Sequence, residues 1–253
     1  MIVTSRMSER RLKPIQYSHT PVQSSAQNQE DVLIDRAFFG KKGGFYVDIG
    51  AGDPIADSVT RWFYGRGWRG VNIEPNPTIF QSIAKFRPDD VNLNVGISDA
   101  VGELTYHQVI QNAVGHGWGL SGFDPAIPDR ARSQGFSVES KIVPVIRLQD
   151  VAERIDFRDV DFLKVDVEGL EPQVLGSVDW TRFRPKLVCV EAVAPLSARP
   201  TFSEWEHLLP KYILGVFDGV NNYYVREDCH EILTQLNASV NCNDRWTRFV
   251  YTP

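Results

Sequence analysis

The chain has 253 residues, 42% of them hydrophobic and 23% charged, with a formal net charge of -5 and a pI near 5.6. This is the composition of a globular protein with a substantial core, and its acidic balance gives no electrostatic reason to expect a nucleic-acid partner. No run of about 18 apolar residues occurs, so no membrane-spanning helix is expected, and Cys189, Cys229 and Cys242 fit neither a disulfide framework nor a common zinc spacing.

Residues 1–27 are polar, without a sustained period, and read as a mobile N-terminal arm. The basic start "MIVTSRMSERRLKPIQ" lacks an apolar signal core, so a reducing, cytoplasmic location is expected. Residues 28–253 read as a single domain. Asn28 to Gly40 spaces Val32, Ile34, Ala37 and Phe38 as a short amphipathic helix that Gly40 closes. "GFYVDIG" reads as a buried strand. Asp53 followed by Pro54 predicts an N-cap and a helix running to about Tyr64. Trp68 to Glu74 is a second strand, Asn76-Pro77 opens the next helix, and Pro88 stops it. Val91 to Ser98 reads as a third strand and "GELTYHQV" as a fourth, in a hairpin-like excursion.

Between about 110 and 137 the pattern gives way to Gly, Pro and polar residues. A loop of that length in a compact domain is more often functional than idle, and it reads as a cover for substrate. "SVESKIVPVI" returns to strand, and Val160 to Gly169 is another, followed by a short helix that Gly176 ends. "PKLVCVEAV" is the next strand, with Cys189 as a buried thiol. Tyr212 to Val225 carries two β-rich runs around "DGVN", a hairpin signal. Alternating strands and helices imply an α/β, Rossmann-like fold with a mostly parallel sheet and a C-terminal antiparallel hairpin.

In such sheets ligands sit beyond the carboxyl ends of the strands, where strand order reverses. The first strand brings Asp48, Gly50 and Gly52 to that rim, and the second brings Glu74. The third brings Asn94, Gly96, Ser98 and Asp99, and the later ones bring Asp166, Glu168 and Glu191, with Lys164 close by. Like charges repel at short range, so this rim disfavours a phosphate, and Asp53 as an N-cap competes for the N–H groups a phosphate needs. A dinucleotide fingerprint would place glycine at Ile55, and no Tyr-x-x-x-Lys pair occurs; both count against a nicotinamide oxidoreductase. A non-catalytic binding protein on the same fold would have eroded cofactor positions, whereas these stand. S-adenosylmethionine (SAM), a cationic nucleoside without phosphate, suits the rim better. Glu74, 24 residues beyond Gly50, can accept both ribose hydroxyls, and Gly50 and Gly52 let backbone approach closely.

"GFYVDIGAGDPIADSVTRWFYGRGWRGVNIEPNP", "LNVGISDAVGE" and "VDFLKVDVEGLEPQVL" together resemble the FkbM family of SAM-dependent methyltransferases, over roughly residues 27–194. The tail "VFDGVNNYYV" is similar to members associated with bacterial polysaccharide and glycolipid genes. The resemblance implies a class I methyltransferase fold that methylates hydroxyl oxygens, often on sugars. By position it implies that Asp48, Gly50 and Gly52 line the methionine part of SAM, with Ala51 and Pro75 in the same cofactor-binding set. Glu74 would hold the ribose, and Asn94, Ser98 and Asp99 would lie near the adenine or beside the methionine. Asp166 and Glu168 would lie where methyl donor and acceptor meet. The family often has Asn-Asp-Gly where this chain has Gly52-Asp53-Pro54, so Gly52 brings no side chain to that contact.

Methyl transfer to a hydroxyl needs a base for its proton, and the candidates are Asp166, Glu168, Glu191 and His116. Lys164 alternates with Asp166 along its strand, so both point to one face. Asp166 and Glu191 end consecutive strands and are enough to hold a divalent cation such as magnesium, although their spacing does not demand one. Trp118, Phe123, Trp180 and Trp205 are the aromatic candidates for stacking on a sugar ring, with Trp118 favoured. The expected acceptor is a hydroxyl on a small molecule or glycan; a homodimer is left open.

Overall fold

The computed structural model describes residues 14–17, 20–110, 120–194 and 197–250. Its strands are β1 (Val22–Ser24), β2 (Phe45–Ile49), β3 (Arg69–Ile73), β4 (Val91–Leu93), β5 (Gly96–Ile97), β6 (Gly102–Ile110), β7 (Ser137–Ile146), β8 (Phe162–Val165), β9 (Leu187–Glu191), β10 (Tyr212–Phe217), β11 (Asn221–Arg226) and β12 (Trp246–Arg248). Its α-helices are α1 (Glu30–Ala37), α2 (Arg61–Gly65), α3 (Pro77–Phe86), α4 (Ile127–Ser133), α5 (Leu148–Arg154), α6 (Glu171–Gly176) and α7 (His230–Gln235).

The main sheet has the order β10-β11-β9-β8-β2-β3-β4. From β9 across to β4 all neighbours are parallel, while β11 runs antiparallel to both β9 and β10. This is the expected mostly parallel α/β sheet. The C-terminal hairpin forms, but its second strand slots in beside β9, so only β11 runs against the sheet and β10 becomes the edge. The central strands are covered on both faces, which is why they read as continuous apolar runs. Val47, Leu163, Val165 and Val188 pack into one core, and Tyr46, Phe162, Leu187 and Cys189 into the other.

Strand order reverses between β2 and β8, so their carboxyl ends open a crevice. Asn76 caps α3 as expected, its side-chain oxygen accepting from the N–H of Thr78 and Ile79, with Pro77 in the first turn.

Three sequence expectations change. The helix expected from Asp53 does not form there; between Asp53 and Tyr64 the chain turns helical only at Arg61. Asp53 Oδ1 does accept from the N–H of Ile55 and Ala56, as a cap would. The Pro54 carbonyl, however, accepts from Arg87 Nη2 at 2.9 Å instead of from a helical amide, and Asp57 turns into the left-handed region at φ 54°. Val91 to Ser98 is not one strand. Asn94 Nδ2 donates to the carbonyls of Glu74 and Pro75, and the chain leaves the main sheet at that point. β5 then joins a separate sheet of order β5-β7-β6. Residues 22–27, assigned to the arm, are packed: β1 pairs with β12, and Ser24 Oγ and the Ser25 N–H donate to buried Asp31. Among the described residues no helix is long and apolar enough to cross a membrane.

Two measurements probe this framework. Buried Arg87 also donates to Ser58 Oγ, so Arg87→Met should leave several buried acceptors unpaired. It should cost on the order of 3 kcal/mol in urea unfolding. Glu30 is buried, and burial pushes its carboxyl from the ordinary 4.5 up to about 7, against the hydrogen bonds it accepts from backbone. A carboxyl raised on folding contributes stability that is full below its unfolded pKa and is lost as pH rises through the folded one. Stability should therefore fall between about pH 4.5 and pH 7, by up to about 3 kcal/mol from this group. Unfolding free energies against pH should show a shallower decline in Glu30→Gln.

Candidate active site

The crevice at the strand ends of β2, β3 and β8 is a cleft with about 990 Å³ of empty space, counted to its open mouth. The Gly50–Gly52 turn forms its floor. Gly50 sits at φ +74°, and a Cβ there would stand 1.9 Å from the Asp166 carbonyl oxygen, so only glycine lets the turn pass the end of β8. The amides of Gly50 and Ala51 both donate to the Ile73 carbonyl, which ties the turn to β3.

Glu74, at the end of β3, is buried and faces the cleft. Its Oε2 accepts from Gly52 N–H at 3.0 Å and its Oε1 from Asn76 N–H at 2.8 Å. Burial nonetheless pushes the carboxyl up to about 7. Pro75 and Ala51 also line the cleft. Asp48 does not. It lies fully buried beneath the turn, accepting from Thr60 Oγ1 at 2.9 Å and facing Lys164 Nζ at 3.5 Å. Asn94 and Ser98 are likewise engaged elsewhere: Asn94 with the β3 end, Ser98 with Asp99. The wall they were expected to supply comes from Val95, Gly96 and Ile97.

Lys164 joins the two sides of the cleft. Its ammonium donates to the Gly50 carbonyl at 2.7 Å and pairs with Asp48 at 3.5 Å and Asp166 at 3.3 Å. The strand alternation read from the sequence does place Lys164 and Asp166 together. Burial alone would drive the lysine's proton off, but Asp166 and Asp48 outweigh it and hold the pKa above the ordinary value. Among the described lining residues Lys164 is the only basic side chain.

Beyond Asp166 the chain makes a tight turn. Glu171 accepts from the N–H of Val167 and Gly169, and Glu168 is held at φ 55°, a conformation costly for a non-glycine residue. Glu168 faces the cleft and is 9% exposed, and its Oε2 has no hydrogen-bond partner. Asp166, Glu168 and Glu191 each bring a carboxylate oxygen within 4.8 Å of the others. Burial, then Asp166 and Glu168, push Glu191 up to about 10; burial, then Asp166 and Glu171, push Glu168 well above its usual range.

The opposite wall comes from the long Gly- and Pro-rich stretch expected to cover substrate and includes Phe123, while Tyr106 and Ser121 were not among the expected site residues. Gly122 bridges to His107 in both directions, bringing Ser121, Gly122 and Phe123 back against β6 and into the cleft with Tyr106. A Cβ on Gly96 would come within 2.5 Å of the Phe123 ring, so that glycine seats it. Burial, then the Glu74 carboxylate, raise the Tyr106 phenol above its ordinary pKa. The only sequence signal was the Gly- and Pro-rich stretch itself. Of the aromatic candidates, Phe123 lines the cleft. Trp180 packs on Phe183 and Tyr212, and Trp205 is fully buried against Tyr224. His116 and Trp118 lie outside the described residues.

The family of methyltransferase FkbM domains matches residues 48–233, which includes both sides of this cleft. Among solved structures, a TehB-like SAM-dependent methyltransferase from Corynebacterium glutamicum is similar over 78% of this chain and 86% of its own, at 10% identity and a TM-score of 0.42. No curated protein matches. With the family match covering most of its length, the chain belongs to the FkbM methyltransferases, and its chemistry is SAM-dependent methyl transfer.

Proposed function

We propose that the protein methylates a hydroxyl oxygen, on a sugar of a polysaccharide, glycolipid or glycosylated metabolite, and does so in the cytoplasm. The observation that carries this reading is the acidic end of the cleft, where Asp166 stands against Lys164 beside Glu168 and Glu191.

The residues present fit SAM. Gly50 has no room for a side chain, so backbone forms the floor, and buried Glu74 faces the cleft with carboxylate oxygens that still have lone pairs free. Glu74 would hold the ribose hydroxyls; the Gly50–Gly52 turn would hold the methionine part. Val95, Gly96 and Ile97 would flank the base. Bound there, SAM supplies a methyl group on a sulfonium, an electrophile for in-line transfer to oxygen. The acid-lined walls favour that positive charge and disfavour an acceptor bearing phosphate.

Asp166 is the half-exposed member of the acidic trio, with its side chain 37% accessible. It takes the acceptor's proton as the carbon–oxygen bond forms. Lys164 positions it and, through the Gly50 carbonyl, fixes the turn that carries the donor. Ser121, Gly122 and Phe123, where the chain bridges back to His107, line the cleft.

Calorimetry should give SAM binding without NAD binding, and Glu74→Ala should weaken SAM by about tenfold or more, the worth of hydrogen bonds to a charged group. NAD binding in place of SAM would sink the reading. Asp166→Asn should keep SAM affinity within a few-fold but lower turnover by about 10²–10⁴. In a deletion strain, surface glycans should lose the mass of one methylene. The wild-type gene should restore it and the Asp166→Asn gene should not; full restoration by the variant would remove Asp166 as the base.

A further inference from the structure

We propose that Asp166, Glu168 and Glu191 form a binding site for a hard divalent cation, magnesium or manganese, at the acceptor end of the cleft. Its role in activating the acceptor rests on the methyl-transfer reading above; the binding itself does not.

Three observations converge. The ends of β8 and β9 and the turn after β8 each contribute one carboxylate, and the three ligand oxygens lie within 4.8 Å of one another, the spread one ion can bridge. Glu168 Oε2 is buried and unpartnered in a side chain that faces the cleft. A buried acceptor without a donor carries a desolvation cost of about 1–3 kcal/mol or more when charged, and a cation removes it. Third, among the described residues no nearby cation is free to do this. Lys164 is already engaged by Asp48, Asp166 and the Gly50 carbonyl, and the nearby Arg130 pairs with Asp124 at 2.8 Å.

The donor set also selects the ion. Three carboxylates with neither cysteine nor histidine among them suit magnesium, manganese or calcium rather than zinc or copper. A hydroxyl that ligates such an ion loses its proton more readily, and Asp166 is close enough to receive it through the same cluster. The acceptor would then be chosen partly by its ability to offer an oxygen to the metal, as vicinal sugar hydroxyls do.

The test uses Mn²⁺ as the probe, followed by electron paramagnetic resonance on chelator-treated full-length protein. One saturable site per chain should appear, displaced by Mg²⁺. Its affinity should fall by at least about tenfold in Glu168→Gln and in Glu191→Gln, and stay unchanged in Glu74→Ala. Absence of saturable binding in the wild type, or wild-type affinity in both glutamine variants, overturns the proposal. Glu191→Ala, at a half-buried position, replaces Glu168→Gln should the latter not fold. SAM titration of the same samples separates the two ideas. SAM binding without Mn²⁺ binding overturns only the cation site, while Mn²⁺ binding without SAM binding leaves the site standing and overturns the methyl-transfer reading.

Discussion

The Lys164 ammonium is where the two halves of the cleft are joined. It is buried at the ends of β2 and β8 and contacts a carboxylate from each strand and the carbonyl of the turn between β2 and the cleft. Neither Asp48, fully buried, nor the reversed Gly50 carbonyl would be stable there without it, because a charge or carbonyl stripped of water needs a partner. On top of the backbone pairing of β2 with β8 and the tie of the glycine turn to Ile73, these contacts fix the Gly50 carbonyl and the side chain of Asp166 against each other. Methyl transfer is sensitive to placement of donor and acceptor, so this is a positioning device as much as a structural one.

Around this centre the charge balance is lopsided. Asp166, Glu168 and Glu191, with Glu171 close to them, crowd one end of the crevice, Glu74 faces it from the end of β3, and burial raises the carboxyl groups of Glu74, Glu168, Glu171 and Glu191. Such an arrangement is costly for the fold alone, and strained or unpaired groups of this kind gather at functional sites. Glu168 combines both features, a left-handed backbone and an unpartnered oxygen.

Much of this was legible in the sequence because its signals are local. Doubly covered strands announce themselves as apolar runs, the Asn76-Pro77 start caps its own helix, and the DGVN turn closes its own hairpin. The acidic rim followed from knowing where strands end. What escaped depends on partners far along the chain. Asp53 caps as its type predicts, yet Arg87 takes the Pro54 carbonyl from 33 residues away and the helix is lost. Asn94, which the family resemblance implies as a cofactor contact, has its amide holding the end of β3. The wall of Tyr106, Ser121 and Phe123 forms only when the excursion folds back, and no period in the sequence encodes that closure.

The close approach of Gly50 to the Asp166 carbonyl carries a consequence for how this enzyme can change. The turn that would receive the donor and the strand end that would receive the acceptor are in van der Waals contact through a single missing methyl group. Donor pocket and acceptor pocket therefore cannot drift independently. An acceptor preference that required the end of β8 to move would disturb the floor under the donor as well. New specificities are left to the side chains of Ser121 and Phe123 on the opposite wall; Gly122 between them is not free to change, since a Cβ there would come within 3.3 Å of Glu168 in the turn after β8.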